Sequence, residues 1–533
     1  MKILSTIGSK CQALNVHAAK ACRENAPMSR RERLLIYPLL GVLSVLFLLC
    51  FALWESPLYP DWYGCDASFF SMAGRGILAG WVPYVDFFDL KGPYFFFLEA
   101  LGQLIHKDRL GIFLLEIPFL WASLILITEI CRLFVSRIKT AAIVIIVLFL
   151  HVATLWGGNT LEEYMLPLNL AVLYLTLRNA LRDPDGENGS YKDDQREGAG
   201  TACALDLGSL PAHVPLLTGI CFGIIAFSKI TVAAPLSGVV IAVALNLAID
   251  RHWKALLKYL GLCLLGLAVA VCPIFLYFGY HHAIPRMLYC VFEFAMKRSV
   301  DYSETFNKDW ELKTIGAIFA FFFAVSHFRK LRRAMAILVI SLSVMTYVLL
   351  HLGVPFIYYF TTVVPVLVLA MALLLKLYDP LILFSGIRQF VCLAMIGVML
   401  YFYAHPALET IDTFLCRGDN PWYGEDVQAA RDLASLIPRS ERNNVFSFSI
   451  DMTWFEANQM LPCNPYQVNL QFFIALDPTI EDELVTCLNE TPPKWLVVRD
   501  SFGDEIPSLF AIVDQKYDCI CSNSSGNLYL LKE

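Results

Sequence analysis

The chain has 533 residues, 57% of them hydrophobic and 17% charged, with a net charge of -6. Apolar runs of such length exclude a water-soluble domain and imply a polytopic α-helical membrane protein. In such a chain the placement of Lys and Arg among the loops is informative and the total charge is not; no signature of nucleic-acid binding is present.

Residues 1–34 are polar and basic and lack the early apolar core of a cleaved signal peptide, so they read as a cytoplasmic tail. A bilayer core asks for about 20 apolar residues of helix. About eleven segments meet this, near 35–54, 111–134, 140–156, 164–181, 213–230, 232–249, 256–279, 314–327, 334–351, 356–376 and 386–404. The run "PYFFFLEALGQLI", Pro93 to Ile105, reaches only roughly 20 Å against a core of roughly 30 Å. It carries Glu99 and Gln103 on one face and reads as a helix lying against the outer surface.

Parity tests that reading. With Pro93–Ile105 outside the count, Arg132, Arg137, Lys139, Arg178, Arg182, Arg251, Lys254, Arg329, Lys330, Arg332 and Arg333 share the cytoplasmic side with the basic N-terminus. Counted as a span, it would turn all of them outward, against the positive-inside bias. The N-terminus is then inside and the C-terminus outside. One outer loop, 281–313, keeps Arg286, Lys297, Arg298, Lys308 and Lys313 against the bias, which invites a functional explanation or nonspecific contact with lipid headgroups.

Residues 182–210 form a polar, Gly-rich cytoplasmic loop of disorder-like composition. From 405 to 533 the composition turns globular. "GEDVQAARDLASLI" reads as a helix and "NVFSFSI", "KWLVVRD" and "GNLYLLK" as strands of a small extracytoplasmic α/β domain. Cys416, Cys463, Cys487, Cys519 and Cys521 lie in it, where disulfides are possible but no connectivity follows from sequence. Cys519 and Cys521 fall on one face of a strand.

The first outer loop, 55–110, gathers charge between two apolar runs. Asp66 opens "DASFFSMAGRGIL", in which Phe69, Phe70, Ala73 and Ile77 share a helical face, so this helix is expected in the interface plane. After Gly80 and Pro83, "DFFDLKGP" returns Asp86, Asp89 and Lys91 to the same boundary. Carboxylates and an ammonium group there meet the level of a lipid headgroup. Plainer readings stand beside this one: Asp66 as a helix N-cap, Asp86 and Asp89 as loop solvation, Lys91 as a snorkelling anchor.

An acidic residue just after the first span, an interfacial helix and "GWVPYVDFFDLKGP" together resemble the first outer loop of the GT-C superfamily of polyprenyl-phosphate-sugar-dependent glycosyltransferases. The pattern is most similar to the lipid A aminoarabinose transferases and the bacterial protein O-mannosyltransferase-like enzymes. Their Lys-Pro-Pro-like motif corresponds to Lys91-Gly92-Pro93, with glycine in place of the first proline. "WGGNTLEEYMLPLNLAVLYL", with Glu162 and Glu163, and "HLGVPFIYYFTTVVPVLVLA", with Tyr358, resemble later family features.

The resemblance implies an inverting transfer, on the outer side of the cytoplasmic membrane, of a sugar from a polyprenyl-phosphate donor to a glycan, lipid or protein acceptor. Asp66 would be the general base, with Lys91, Arg286, Lys297 or Arg298 on the donor phosphate. Asp86, Asp89, Glu162, Glu163 and Tyr358 would orient sugar or acceptor. A divalent metal is compatible with Asp66, Asp86 and Glu163 but not required, and His281-His282 does not make a metal pair. A transporter or flippase for a lipid-linked glycan and a non-catalytic envelope assembly protein are the alternatives. A transporter would favour ionisable groups at the bilayer midplane and internal repeats, and neither is apparent.

Overall fold

The computed structural model describes residues 28–181, 205–298, 309–352, 356–378, 386–416, 427–468 and 470–532. Most of the expected tail, residues 182–204 of the expected loop with Arg182, and Lys308 lie outside them. The helical part comprises α1 (Arg30–Phe51), α2 (Cys65–Leu78), α3 (Pro93–Ile105), α4 (Arg109–Arg132), α5 (Arg137–Thr154), α6 (Leu161–Ala180), α7 (His213–Ala226), α8 (Ala234–Ile249), α9 (Trp253–Tyr280), α10 (Ile284–Leu288), α11 (Asp309–Ser326), α12 (Arg333–Leu350), α13 (Val364–Leu377) and α14 (Ile387–Cys416). Short 3₁₀ turns, Ile230–Ala233 and Ile357–Val363, lead into α8 and α13.

Among the described residues, eight helices are long and apolar enough to cross a membrane, and the chain is a multi-pass membrane protein. The other three expected spans are also helical. α6 carries Glu162, Glu163 and Arg178, α7 has only 14 residues, and α11 is apolar only from Thr314 on. α14 continues to Cys416, so the change of composition near 405 falls inside one helix.

The two ends of the bundle differ chemically. At one end Arg33 grips Glu129 at 2.7 and 3.2 Å, Arg137 pairs with Glu32, Arg333 pairs with Asp250, and Lys139 caps the Leu375 carbonyl at 2.6 Å. The start of α4 lies at the opposite end, because the Arg109 guanidinium donates to the Trp54 carbonyl just past α1, at 2.8 Å. Residues 52–108 therefore leave and re-enter the bundle on one side, and α3 does not carry the chain across.

α2 and α3, the helices expected at the interface, are both packed into the protein. α2 is buried around its circumference, Ser68, Phe69, Phe70, Ser71, Met72, Ala73 and Gly74 included, because it is sandwiched between α3 and the C-terminal domain. α3 turns Glu99 and Gln103 inward and leaves Leu101, Leu104 and Ile105 exposed. A helix facing lipid outward and protein inward must place its polar residues on the protein side. Its aromatic run is core: Phe70 meets Phe95 and Phe87 meets Phe96 edge-to-face, each at 4.8 Å between ring centroids. Such pairs contribute about 0.5–1.5 kcal/mol beyond their area.

The C-terminal part contains α15 (Val427–Ser435), β1 (Val445–Phe448), α16 (Thr453–Ala457), α17 (Leu470–Leu476), α18 (Thr479–Glu490), β2 (Trp495–Val498), α19 (Phe502–Glu505), α20 (Pro507–Lys516), β3 (Tyr517–Asn523) and β4 (Gly526–Leu531). The sheet order is β1-β2-β4-β3, with β1 and β2 parallel and the other pairs antiparallel. β1 and β2 are buried at every position, as their unbroken apolar runs require. A register shift between Cys519 and Cys521 breaks the alternation that would put both sulfurs on one face.

This domain is tied to the helical part by polar contacts. The Phe88 amide donates to the Pro465 carbonyl at 2.8 Å, Arg286 donates to the Tyr466 hydroxyl at 2.6 Å, and the Tyr289 hydroxyl donates to Asp477. Partial burial would raise the Asp477 pKa, but hydrogen bonds from Thr479 and Tyr289 outweigh it and hold the carboxyl below the ordinary 3.8. A depressed carboxyl contributes stability above its unfolded pKa and loses it as pH falls through the folded one. The distance between spin labels placed on the two parts is therefore expected to be constant from about pH 8 to 5 and to broaden below about pH 4; an unchanged distance distribution at pH 3 would remove Asp477 from the tie.

Candidate functional site

The segment "DLKGP" is fixed on both sides of Lys91. Asp89 Oδ1 accepts the Lys91 amide at 2.7 Å, an Asx turn, and the Tyr84 hydroxyl donates to the Lys91 carbonyl at 2.7 Å. The Gly92 amide donates to the Ser228 carbonyl at 2.7 Å, and Pro93 starts α3, a position that suits proline. This explains the glycine in the motif. Proline has no N–H to give Ser228, and a Cβ on Gly92 would stand 2.0 Å from the Phe227 carbonyl oxygen. Gly92→Ala is expected to cost about 1–3 kcal/mol and most of the activity, read by thermal unfolding in detergent; wild-type stability would contradict the close approach.

The Gly92–Ser228 bond places Lys91 next to Lys229, a residue the sequence reading did not single out. Lys229 Nζ lies 2.7 Å from Glu162 Oε1, with the lysine side chain 19% exposed and the glutamate 2%. It also sits 3.6 Å from the Tyr359 ring centroid and 5.6 Å from that of Tyr358. The signal was available, since Lys229 is the one charged residue between 214 and 249, and an ionisable group in an apolar run marks a functional position by default.

Lys91 Nζ stands over the Phe70 ring at 4.3 Å, one helical turn from Asp66. Asp66 is the second residue of α2 and exposed. The N-cap is Gly64, so Asp66 is not the cap; its side chain makes no hydrogen bond or ion pair among the described residues. Tyr358 lies within electrostatic reach of Asp66, Glu162 and Arg298. One neighbourhood thus joins an unengaged carboxylate, two ammonium groups, a tyrosine and a buried glutamate.

Other expected site residues are engaged elsewhere. Asp86 Oδ2 accepts the Val82 amide at 2.6 Å and closes its own turn. Asp89, buried, serves the Lys91 backbone and lies 3.8 Å from its Nζ. Glu163 caps α6 through Thr160, stands 3.3 Å from His151 Nε2, and lines a separate pocket with Glu116, Ser123 and Tyr164. Neither glutamate of the pair faces water, because α6 begins inside the bundle. Arg286 spends its guanidinium on the Tyr84 carbonyl and Tyr466. Lys297 pairs with Glu293 at 3.4 Å, and Arg298 stacks over Phe472 at 5.5 Å.

The three residues compatible with a divalent metal are not brought together. Asp86 closes its own turn, Glu163 serves Thr160 and His151, Asp66 stands apart from both, and among the described residues no group of three or more His, Cys, Asp or Glu could hold a metal ion. Behind the site, buried Glu55, Glu99 and Glu116 approach the turn at Trp156–Asn159, whose four residues all have positive φ. Asn159 binds Glu116 through its amide and Glu99 through its side chain, the latter at 3.4 Å.

No family model matches the sequence, and no curated protein matches it. Solved structures do. A crystal structure of ArnT from Cupriavidus metallidurans bound to undecaprenyl phosphate aligns with a TM-score of 0.54 at 12% identity, over 94% of this chain and 98% of that one. The fold is ArnT-like. The apo crystal structure of the same ArnT aligns with a TM-score of 0.53 at 12% identity, over 92% of this chain and 97% of that one. At such coverage the likeness of fold takes in both the helical part and the C-terminal domain.

Proposed function

We propose that the protein is an inverting glycosyltransferase that moves a sugar from a polyprenyl phosphate to an acceptor hydroxyl or amine on the outer side of the cytoplasmic membrane. The observation that carries the reading is the gathering of unengaged Asp66 with Lys91 and Lys229, whose segments the Gly92–Ser228 hydrogen bond joins, at the bundle end away from the Arg-rich one. The ArnT-like fold supports it, one such structure having been solved with undecaprenyl phosphate. The positive-inside reading supports the outward orientation.

In this reading Asp66 accepts the acceptor's proton as the acceptor atom attacks C1 of the sugar from the face opposite the phosphate. The C1–O bond breaks, and its electron pair leaves with the lipid phosphate. Lys91 and Lys229 meet the charge that develops there. Glu162 and the Tyr359 ring keep the Lys229 ammonium in place, and Asp89 fixes the backbone that presents Lys91. Incubating purified protein in nanodiscs with a panel of polyprenyl-phosphate sugars tests this by the release of lipid phosphate. Movement of the intact donor across the bilayer without such release would replace the reading with that of a flippase.

A further inference from the structure

The α/β domain reaches into the helix that carries Asp66. Glu456, on α16, is buried: Oε1 accepts the Ser71 hydroxyl at 3.0 Å, and Oε2 pairs with the Arg75 guanidinium. Both partners lie on α2, one turn apart. Ser71 in turn accepts from Gln103 Nε2 of α3 at 2.8 Å, and Arg75 also donates to the Met460 carbonyl at 3.3 Å. At the other end of α2, Cys65, the neighbour of Asp66, lies against Asp451, whose Oδ1 accepts the Thr453 amide at 2.8 Å and opens the turn into α16. The segment 451–460 therefore grips α2 along its length.

α2 has little freedom on its other side. A Cβ on Gly74 would come within 2.7 Å of the Glu99 backbone, so α2 and α3 are in backbone contact. Glu456 thus stands at the joint between the helix that bears Asp66 and the helix that follows Lys91. Resting on the reading of Asp66 as base, we propose that Glu456 is a positioning residue: through Arg75, Ser71 and Gln103 it sets the distance between Asp66 and the lysine pair, making the α/β domain part of the turnover machinery. A small displacement between reacting groups costs on the order of a hundredfold in rate, and a buried carboxylate holding two partners is well suited to prevent it.

The test uses the full-length protein and five variants. Glu456→Gln and Ser71→Ala are the mild ones; in each, kcat is expected to fall roughly three- to tenfold, with KM for the polyprenyl-phosphate sugar within about twofold of wild type. Glu456→Ala is expected to lose roughly ten- to hundredfold in kcat. Exchange of the charges, Arg75→Glu with Glu456→Arg, is expected to recover part of the kcat lost by Arg75→Glu alone. Unchanged kcat in Glu456→Gln and Ser71→Ala overturns the inference, and so does a loss confined to KM. Amide hydrogen exchange across residues 65–75 reads the same coupling without activity: faster exchange in the folded Glu456→Gln protein is expected, and wild-type exchange overturns the inference. Failure of the wild-type protein to release lipid phosphate would count against the glycosyltransferase reading instead, leaving exchange to decide the positioning.

Discussion

Asp66→Asn is expected to lower turnover by about 10²- to 10⁴-fold, the contribution of a positioned general base, with donor affinity unchanged. The substitution keeps shape and polarity but cannot take a proton. Its effect on folding is small, because the Asp66 side chain is exposed and makes no hydrogen bond or ion pair among the described residues. The lost charge in the first turn of α2 costs only about 0.3–1 kcal/mol. A variant with normal KM and collapsed kcat identifies a group acting in the transition state. Normal kcat in a folded variant would remove Asp66 from the chemistry.

The second large effect is expected from the lysine pair. Lys91→Met removes the ammonium while leaving its backbone held by Asp89 and Tyr84, so a stable protein with roughly a hundredfold loss in kcat/KM is expected. Lys229→Met does two things, because it also strands Glu162, which is 2% exposed in the pair. Breaking such a pair costs up to about 3 kcal/mol. Adding Glu162→Gln removes the stranded charge, so the double variant is expected to regain stability and stay inactive. Recovery of both stability and activity would make the pair a structural device only; thermal unfolding and turnover on the same samples separate these outcomes.

What the sequence discloses follows from the range of the interactions. Apolar length is local, so helices stand where each apolar run is expected, and the Lys91-Gly92-Pro93 motif is local, so its place was legible. Lys229 was legible in principle, as a lone cation in an uncharged run, but its ends look like those of two ordinary spans. The inward turn of Glu99 and Gln103 was not legible, because a helix pattern gives a polar face without saying which neighbour it meets. Glu456 was beyond reach: its partner Arg75 lies 381 residues away, and no periodicity connects positions so far apart. Arg286 was expected at a phosphate for breaking the positive-inside bias, and its contact with the α/β domain through Tyr466 is a second role that the bias did not disclose. A bias in charge placement bears only on the side of a residue, and the tertiary packing decides what it holds.

The central claim is that Asp66 and the lysines act on a lipid-linked sugar, and one comparison tests it most directly. Wild-type protein and Asp66→Asn, purified alike and placed in the same nanodiscs, are given a panel of polyprenyl-phosphate sugars and an envelope extract as acceptor, and free polyprenyl phosphate is measured. Release by the wild type with at least one donor, with at least a hundredfold less release by Asp66→Asn despite equal donor binding, is the predicted result. Equal release by both proteins, or donor binding by the wild type with no release from any sugar, would contradict it.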